Sequence, residues 1–313
     1  MKTLLLIDAN SIIHRSFHAL PPFTTPDGKP SGALYGIASI LLKLWREQKP
    51  DYVAALFDRP EPTFRDKKYA AYKAQRPPTA DELITQIIAA HGLFDAFGVT
   101  TFEKPGFEAD DLIATLAERF KGGDDLRVVI LTGDRDTLQL VEGERLVVMT
   151  FNKGVSDTTI YDEKTVIEKY KLKPAQLLDY KTLVGDPSDN IKGVPGIGPK
   201  TATEVLQKFG SVEELYKNIA SDPKLEKKFG PYRKDAELAR ELVTLERHVP
   251  IAMPALADLA VPAEMPPSVE AYFIRMGFVT LLKRLLGKET EKSPAGAAGG
   301  RVKRQKPAQP GLF

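Results

Sequence analysis

The residues of this 313-residue chain most able to do chemistry are carboxylates, and they come in tight groups. Asp8 ends the apolar run "TLLLIDA" and Asp58 ends "YVAALFD". Glu108, Asp110 and Asp111 stand in "FEADD", Asp134 and Asp136 in "TGDRD", and Asp186 and Asp189 in "GDPSDN". These nine acids, gathered on one surface, would repel one another unless cations neutralise them. All-oxygen donors suit hard divalent ions such as Mg²⁺, with Mn²⁺ as a substitute. Two such ions about 3.5–4 Å apart form a clamp for in-line attack at phosphorus. The chain has no cysteine and four histidines, which excludes disulfides, thiolate metal sites and cysteine nucleophiles and makes zinc a poor fit. Each cluster taken singly has a plainer reading. Acids in the first turn of a helix are favoured by its dipole, and Asp-rich segments form turns. An acid that closes a buried apolar strand is harder to explain without a partner.

Strands and helices must bring these acids together. Four apolar runs read as buried strands: 3–9, 52–58, 127–134 and 145–151. Amphipathic segments such as "ALYGIASILLKLWREQ" and "DDLIATLAERF" lie between the first three. That alternation predicts an α/β fold with a mostly parallel sheet flanked by helices. In such sheets ligands bind beyond the carboxyl ends of the strands, where Asp8, Asp58 and Asp134 fall. From about residue 175 the texture changes to short helices with Gly/Pro joints, which predicts a second, helical domain over 175–287. The segment from 288 to 313 is polar, small and Pro/Gly-rich, the composition of a disordered tail.

Between Phe64 and Arg76 the chain reads "FRDKKYAAYKAQR", with five basic residues and one acid. A helix here would place Tyr69, Lys73 and Arg76 on one face, stopped by Pro77 and Pro78. Basic groups interleaved with aromatics suit a nucleic-acid strand through phosphate pairing and stacking. A solvated helix with snorkelling lysines is the plainer alternative.

The stretch "GDPSDNIKGVPGIGPKT" invites comparison with a nucleotide-binding loop. It fails as one, because Pro199 separates Gly198 from Lys200 and Thr201 stands where a third glycine is needed. It parses instead as helix, hairpin, helix: "PAQLLDYKTLVG", then "GVPGIG", then a helix begun by Pro199 with stripe Ala202, Val205, Leu206 and Phe209 and capped by Gly210. Glycines and a helix N-terminus let a phosphate approach the backbone without any reading of sequence.

Composition sets the outer bounds. The chain is 42% hydrophobic and 27% charged, with a formal net charge of +2, ordinary for a globular protein. The N-terminal apolar run is broken by Asp8, far short of the roughly 7–15 residues of a signal peptide or about 20 of a membrane span. A cytoplasmic protein without a membrane partner is the expectation.

Taken in order, "LLLIDAN", "ALFDRP", "FRDKKYAAYKAQRPP", "GFEADDLIATLA", "LTGDRDTLQLV" and "LVGDPSDNIKGVPGIGPKTA" resemble the bacterial 5′-nuclease family, over about residues 1–287. That family includes flap endonucleases and the 5′→3′ exonuclease domain of DNA polymerase I. The resemblance implies a PIN-like catalytic domain over 1–174 with a helical arch at about 64–92, and a helix-three-turn-helix DNA-binding domain over 175–287. It implies two Mg²⁺ ions, one near Asp8, Asp58, Glu108, Asp110 and Asp111 and one near Asp134, Asp136, Asp186 and Asp189, with Asp58 and Asp136 counted among the catalytic residues. Lys73 and Arg76 would contact the scissile phosphate. Arg65, Tyr69, Tyr72, Lys192, Gly193, Gly196, Gly198, Lys200 and Thr201 would bind DNA, with K⁺ at the hairpin. The implied activity is phosphodiester hydrolysis at 5′ flaps, nicks and 5′ ends, RNA-primed ends included, by a nucleoid-associated monomer in replication and repair. The rivals are a non-catalytic DNA-structure-binding module and a PIN-type ribonuclease. Unlike a polymerase I, the chain stops at Phe313, as a stand-alone nuclease or a fragment would. Its last five residues, with Gln309, Leu312 and Phe313, resemble the peptide by which bacterial replication proteins dock on the sliding clamp, although Pro310 departs from the usual leucine.

Overall fold

The computed structural model describes residues 1–123, 125–152 and 157–288. Its centre is a six-stranded sheet built from β1 (Lys2–Asp8), β2 (Tyr52–Phe57), β3 (Thr100–Glu103), β4 (Leu126–Leu131), β5 (Leu146–Phe151) and β6 (Thr158–Tyr161). The spatial order is β3-β2-β1-β4-β5-β6, parallel throughout except for β6, which runs antiparallel to β5. Leu6 of β1 lies opposite Ala54 on one side and Ile130 on the other. Leu4 through Ile7 are all buried because β1 is central and covered on both faces, hence a continuous apolar run instead of an alternating one. The two outermost strands were not foreseen. "TTFE" and "TTIY" are short and half polar, as sheet edges can be, and carry too little apolar signal to stand out.

Alternate strand residues feed two separate cores. Leu5, Ile7, Val53, Phe57, Val129 and Leu131 face α1 (Ala9–Ala19), α2 (Gly32–Glu47) and α4 (Asp81–Ala96). Leu4, Leu6, Ala54, Leu56, Val128 and Ile130 face α5 (Ala109–Phe120), whose stripe Leu112, Ile113 and Leu116 is buried. The helical region joins this second core through α6 (Glu163–Tyr170), α7 (Gln176–Val184), α8 (Pro199–Phe209) and α9 (Val212–Asn218), followed by α10 (Pro223–Phe229) and α11 (Arg233–Val243). The stripe expected on α8 is the one observed: Ala202, Val205 and Leu206 are buried and Phe209 packs beside them.

Two boundaries differ from expectation. The stretch 64–76 is not one helix. Between Phe64 and Lys68 it forms α3, then it leaves helical geometry at Tyr69 and turns, with Lys73 at φ 51°. The backbone N–H of Lys73 donates to Asp189 at 2.9 Å, so a tertiary hydrogen bond replaces a helical one. The second difference is at the C-terminal end. Helices α12 (Pro267–Met276) and α13 (Val279–Leu285) do not extend the helical domain. Their Val269, Tyr272, Phe273, Phe278 and Leu281 sit in the α2/α4 core on the other face of the sheet. The helical unit therefore stops before Pro267 instead of running to 287, because the apolar faces of the last two helices pack in the first domain's core. Among the described residues no helix is long and apolar enough to cross a membrane. The clamp-like peptide and all but the first residue of the expected tail lie outside the described residues.

Candidate active site

Because β1 lies between β2 and β4, their carboxyl ends open onto one crevice. A pocket of about 210 Å³ fills it, lined by Asp8, Asp58, Glu108, Asp110 and Asp134 together with Lys73, Arg76, Asn10, Ser11 and His14. Each acid is placed by its element. Asp8 leaves β1 and caps α1, accepting from the Ser11 N–H at 3.0 Å, while its other oxygen accepts from the Thr132 hydroxyl at 2.6 Å. Asp58 follows β2 and accepts from the Ala109 N–H at 2.7 Å, which ties it to the start of α5. Glu108 and Asp110 belong to that same start. Asp134 follows β4 and accepts from the Asp136 N–H at 2.9 Å.

Their electrostatics are those of crowded, desolvated anions. Burial, then the neighbouring Asp58, pushes the Asp8 carboxyl up to about 7. Burial and the adjacent Asp134 push Asp136 up to about 8 even though Lys181 opposes the shift. Asp110 is raised well above its ordinary value by burial and by Asp134, Asp8, Asp136 and Asp58, and its Oδ1 is buried without a hydrogen-bond partner. Asp186 moves the other way. Burial opposes the change, but the Lys181 ammonium at 2.7 Å and two hydrogen bonds from Ser188 hold it below the usual range.

Among the described residues, Lys73, Arg76 and Lys181 answer this charge together with the buried Arg65. Lys73 Nζ lies 2.5 Å from Glu108 and 3.8 Å from Asp189. Arg76 pairs with Asp189 at 2.5 Å. Lys181 bridges Asp136 and Asp186. The acids expected to form two sets are thus joined by basic side chains, and Asp136, Asp186 and Asp189 stand outside the residues that line the pocket. Among the described residues no three of these groups stand, as their side chains lie, where they could enclose an ion. The donor chemistry nevertheless fits hard divalent cations. Carboxylate oxygens dominate it, several raised by burial and then by mutual repulsion, and one of them is buried and unpartnered among the described residues.

Several expected roles need correction. Asp111 is fully buried and bidentate with Arg65, at 2.7 and 2.8 Å, so neither faces the pocket as a metal or DNA ligand. Tyr72 is 5% exposed, with its hydroxyl on Glu108 and Asp189, which removes its ring from any stacking role in this conformation. Tyr69 is half-buried against the Tyr72 and Leu242 cluster. Gly193 is a packing position: a Cβ there would lie 2.3 Å from the backbone of Val184. It follows a two-residue ladder, β7 (Gly185–Asp186) with β8 (Ile191–Lys192), that sequence reading missed. The rest of the hairpin is open. Gly196 has φ 76° and Gly198 a regular backbone, and nothing lies within 4 Å of a Cβ built on either. Lys192 and Lys200 are exposed beside them and Thr201 is half-buried.

Lys181, Thr132, Asn10, Ser11 and His14 were missed. Asn10 accepts from the Asp58 N–H at 3.1 Å and Ser11 from the Gly133 N–H at 2.8 Å. Helical spacing from the Asp8 cap would have found Ser11 and His14. Lys181 has one partner, Asp186, five residues on, but its other partner, Asp136, lies 45 residues away. A wider hollow of about 380 Å³ beside α6 is also acid-lined, but there Asp162 caps the helix and Glu163 accepts from the Gly143 N–H, so its best-placed acids serve local structure.

Comparison with known proteins adds an independent line. Residues 3–171 match the family model described as 5'-3' exonuclease, N-terminal resolvase-like domain, and residues 172–265 match 5'-3' exonuclease, C-terminal SAM fold. The chain is 42% identical over 248 residues to a 5'-3' exonuclease of Aquifex aeolicus, covering 78% of this chain and 82% of that one. It is 43% identical over 257 residues to DNA polymerase I of Mycobacterium tuberculosis, covering 80% of this chain but only 28% of the polymerase. The chain therefore spans less than a third of the polymerase relatives it matches. Among solved structures it resembles a bacteriophage T5 flap endonuclease in a pseudo-enzyme-product complex with DNA and metal ions. That match has TM-score 0.62 and 19% identity, covers 92% of this chain and 99% of that one, and speaks to the fold.

Proposed function

Because the chain belongs to the 5'-3' exonuclease family, we propose that it is a structure-specific nuclease that hydrolyses DNA phosphodiesters at 5′ flaps, nicks and 5′ ends. The observation that carries this reading is the pocket at the β1, β2 and β4 ends. Five carboxylates line it together with Lys73 and Arg76. Asp8, Asp58, Glu108, Asp110 and Asp134 would hold divalent cations once their side chains turn inward, Mg²⁺ first and Mn²⁺ in its place, with Asp136, Asp186 and Asp189 behind them. Bound there, such ions would supply Lewis acidity and a more acidic water.

The chain's own groups do the rest. Lys73 and Arg76 are held by Glu108 and Asp189 and turn to pair with the non-bridging oxygens of the scissile phosphate, where negative charge develops. Asp58 and Asn10 fix the start of α5 against β2, which keeps Glu108 and Asp110 at constant depth. Water adds to phosphorus opposite the leaving 3′ oxygen, and the products are a 5′-phosphate and a 3′-hydroxyl. The open backbone at Gly196 and Gly198, with Lys192 and Lys200, grips a duplex phosphate strand, with K⁺ as the accompanying ion. Processing of RNA-primed 5′ ends in replication and repair, by a monomer in the bacterial cytoplasm, follows from that substrate class.

Cleavage of labelled 5′-flap DNA and of single-stranded RNA, in Mg²⁺, Mn²⁺ or EDTA and beside Asp58→Asn, tests this. The expected result is metal-dependent cut DNA near the flap junction, strongly reduced by the substitution, with RNA alone a poor substrate. No DNA cleavage in either metal would overturn it.

A further inference from the structure

Arg65 is the largest side chain fully buried among the described residues, and all five of its N–H groups are used. Its Nε donates to the Leu242 carbonyl at 2.8 Å. One terminal nitrogen donates to Asp111 at 2.7 Å and to Glu108 at 3.3 Å, the other to Asp111 and to the Thr244 carbonyl, both at 2.8 Å. Asp111 in turn accepts from the backbone N–H of Glu108 at 3.1 Å and of Glu246 at 2.8 Å. One guanidinium thus joins three segments: α3 at the root of the basic arch, the start of α5 that carries Glu108 and Asp110, and the chain leaving α11 of the helical domain.

Burying such an ion pair is not an economical way to hold a fold together, since apolar groups of the same volume often do as well or better. What the planar fork supplies is direction. Lysine would offer one charge at one point and could not reach Glu108, Asp111 and two carbonyls at once. Glu108 receives Lys73 and the Tyr72 hydroxyl as well as Arg65, so its orientation and that of the arch depend on the same hub.

We propose that Arg65 is a positioning residue that sets the Glu108 carboxylate and registers the arch against the helical domain, so that Lys73 and Arg76 meet the phosphate of a duplex held by that domain. The proposal rests on the nuclease reading above, and wild-type cleavage run in parallel separates the failure of one from the failure of the other. The chain has no native cysteine, so spin labels on Ala74→Cys and Glu237→Cys, both at exposed positions, report the spacing of arch and helical domain by electron paramagnetic resonance.

In Arg65→Lys the distance distribution between the labels should broaden in EDTA. The single-turnover rate constant at saturating DNA and Mg²⁺ should fall about 10–100-fold, the usual effect of loosening a ligand's support, with DNA affinity nearly unchanged. Loss of stability alone would lower the reacting fraction and leave the rate constant of the remainder intact. If Arg65→Lys is poorly soluble, the double variant Arg65→Met with Asp111→Leu carries the same readouts without an unpaired charge. An unchanged distance distribution, or a wild-type rate constant in the folded fraction, overturns the proposal.

Discussion

Replacing Asp110 by asparagine should stabilise the metal-free protein while removing its activity. Among the described residues Asp110 Oδ1 is buried without a partner, and the ionised group faces Asp134, Asp8, Asp136 and Asp58. Its neighbour Asp8 is strained in the same direction and is raised from 3.8 to about 7. At about 1.4 kcal/mol per unit, ionising Asp8 in the folded state costs on the order of 4 kcal/mol of stability, relative to the unfolded chain, once pH exceeds about 7. Asparagine removes the charge on Asp110 and relieves its neighbours, but its amide must be accommodated. A net gain of about 2 kcal/mol is expected, or roughly 4–8 °C in Tm for a domain of this size. The sign follows from linkage. An acid whose folded pKa is raised contributes stability while protonated, fully present below the unfolded value near 3.8 and lost as pH rises through about 7. Wild-type protein in EDTA should therefore be less stable at pH 8 than at pH 5.5, and the advantage of Asp110→Asn should shrink at the lower pH. Mg²⁺ at pH 8 should stabilise wild type more than the variant, because only wild type offers the full anionic set. Thermal denaturation across these conditions decides the matter. An Asp110→Asn protein no more stable than wild type in EDTA at pH 8 would refute the reasoning.

Three further outcomes are expected. Lys181→Met leaves Asp136 and Asp186 facing each other without their cation and should destabilise the metal-free chain by about 3–5 kcal/mol, with Mg²⁺ recovering part of the loss in urea titrations. Gly193→Ala would drive a Cβ to 2.3 Å from the Val184 backbone; a loss of more than about 3 kcal/mol is expected, whereas Gly198→Ala, in open space, should change stability by under about 1 kcal/mol. Deleting residues 309–313 should abolish binding to a bacterial sliding clamp, measured by surface plasmon resonance, and leave cleavage of free flap DNA unchanged.

The acids that line the pocket were legible in the sequence where they end strands. An aspartate that closes a run such as "TLLLID" needs a polar or charged partner wherever it sits, so Asp8 and Asp58 announce the carboxyl edge of a buried sheet before any coordinate is known. The stripe of α8 and its Gly210 cap were legible for a similar reason, since helical periodicity and a glycine stop are local signals. Roles set by distant partners were not. "FRDKKYAAYKAQR" has the pattern of a basic helix, yet Arg65 turns inward to Asp111 and Lys73 adopts a positive φ to meet Asp189, partners 46 and 116 residues away. The same holds for α12 and α13, whose apolar faces say that they are buried but not against what.

The sequence by itself determined which chemistry is available: oxygen donors without thiols, a basic segment, and a mostly parallel sheet to hold them. Only the tertiary structure decided which acids line the pocket and which are neutralised by Arg65 and Lys181. Periodicity records that a side chain leaves water, whereas a carboxylate's role depends on the charge it meets there, and that charge comes from elsewhere in the chain.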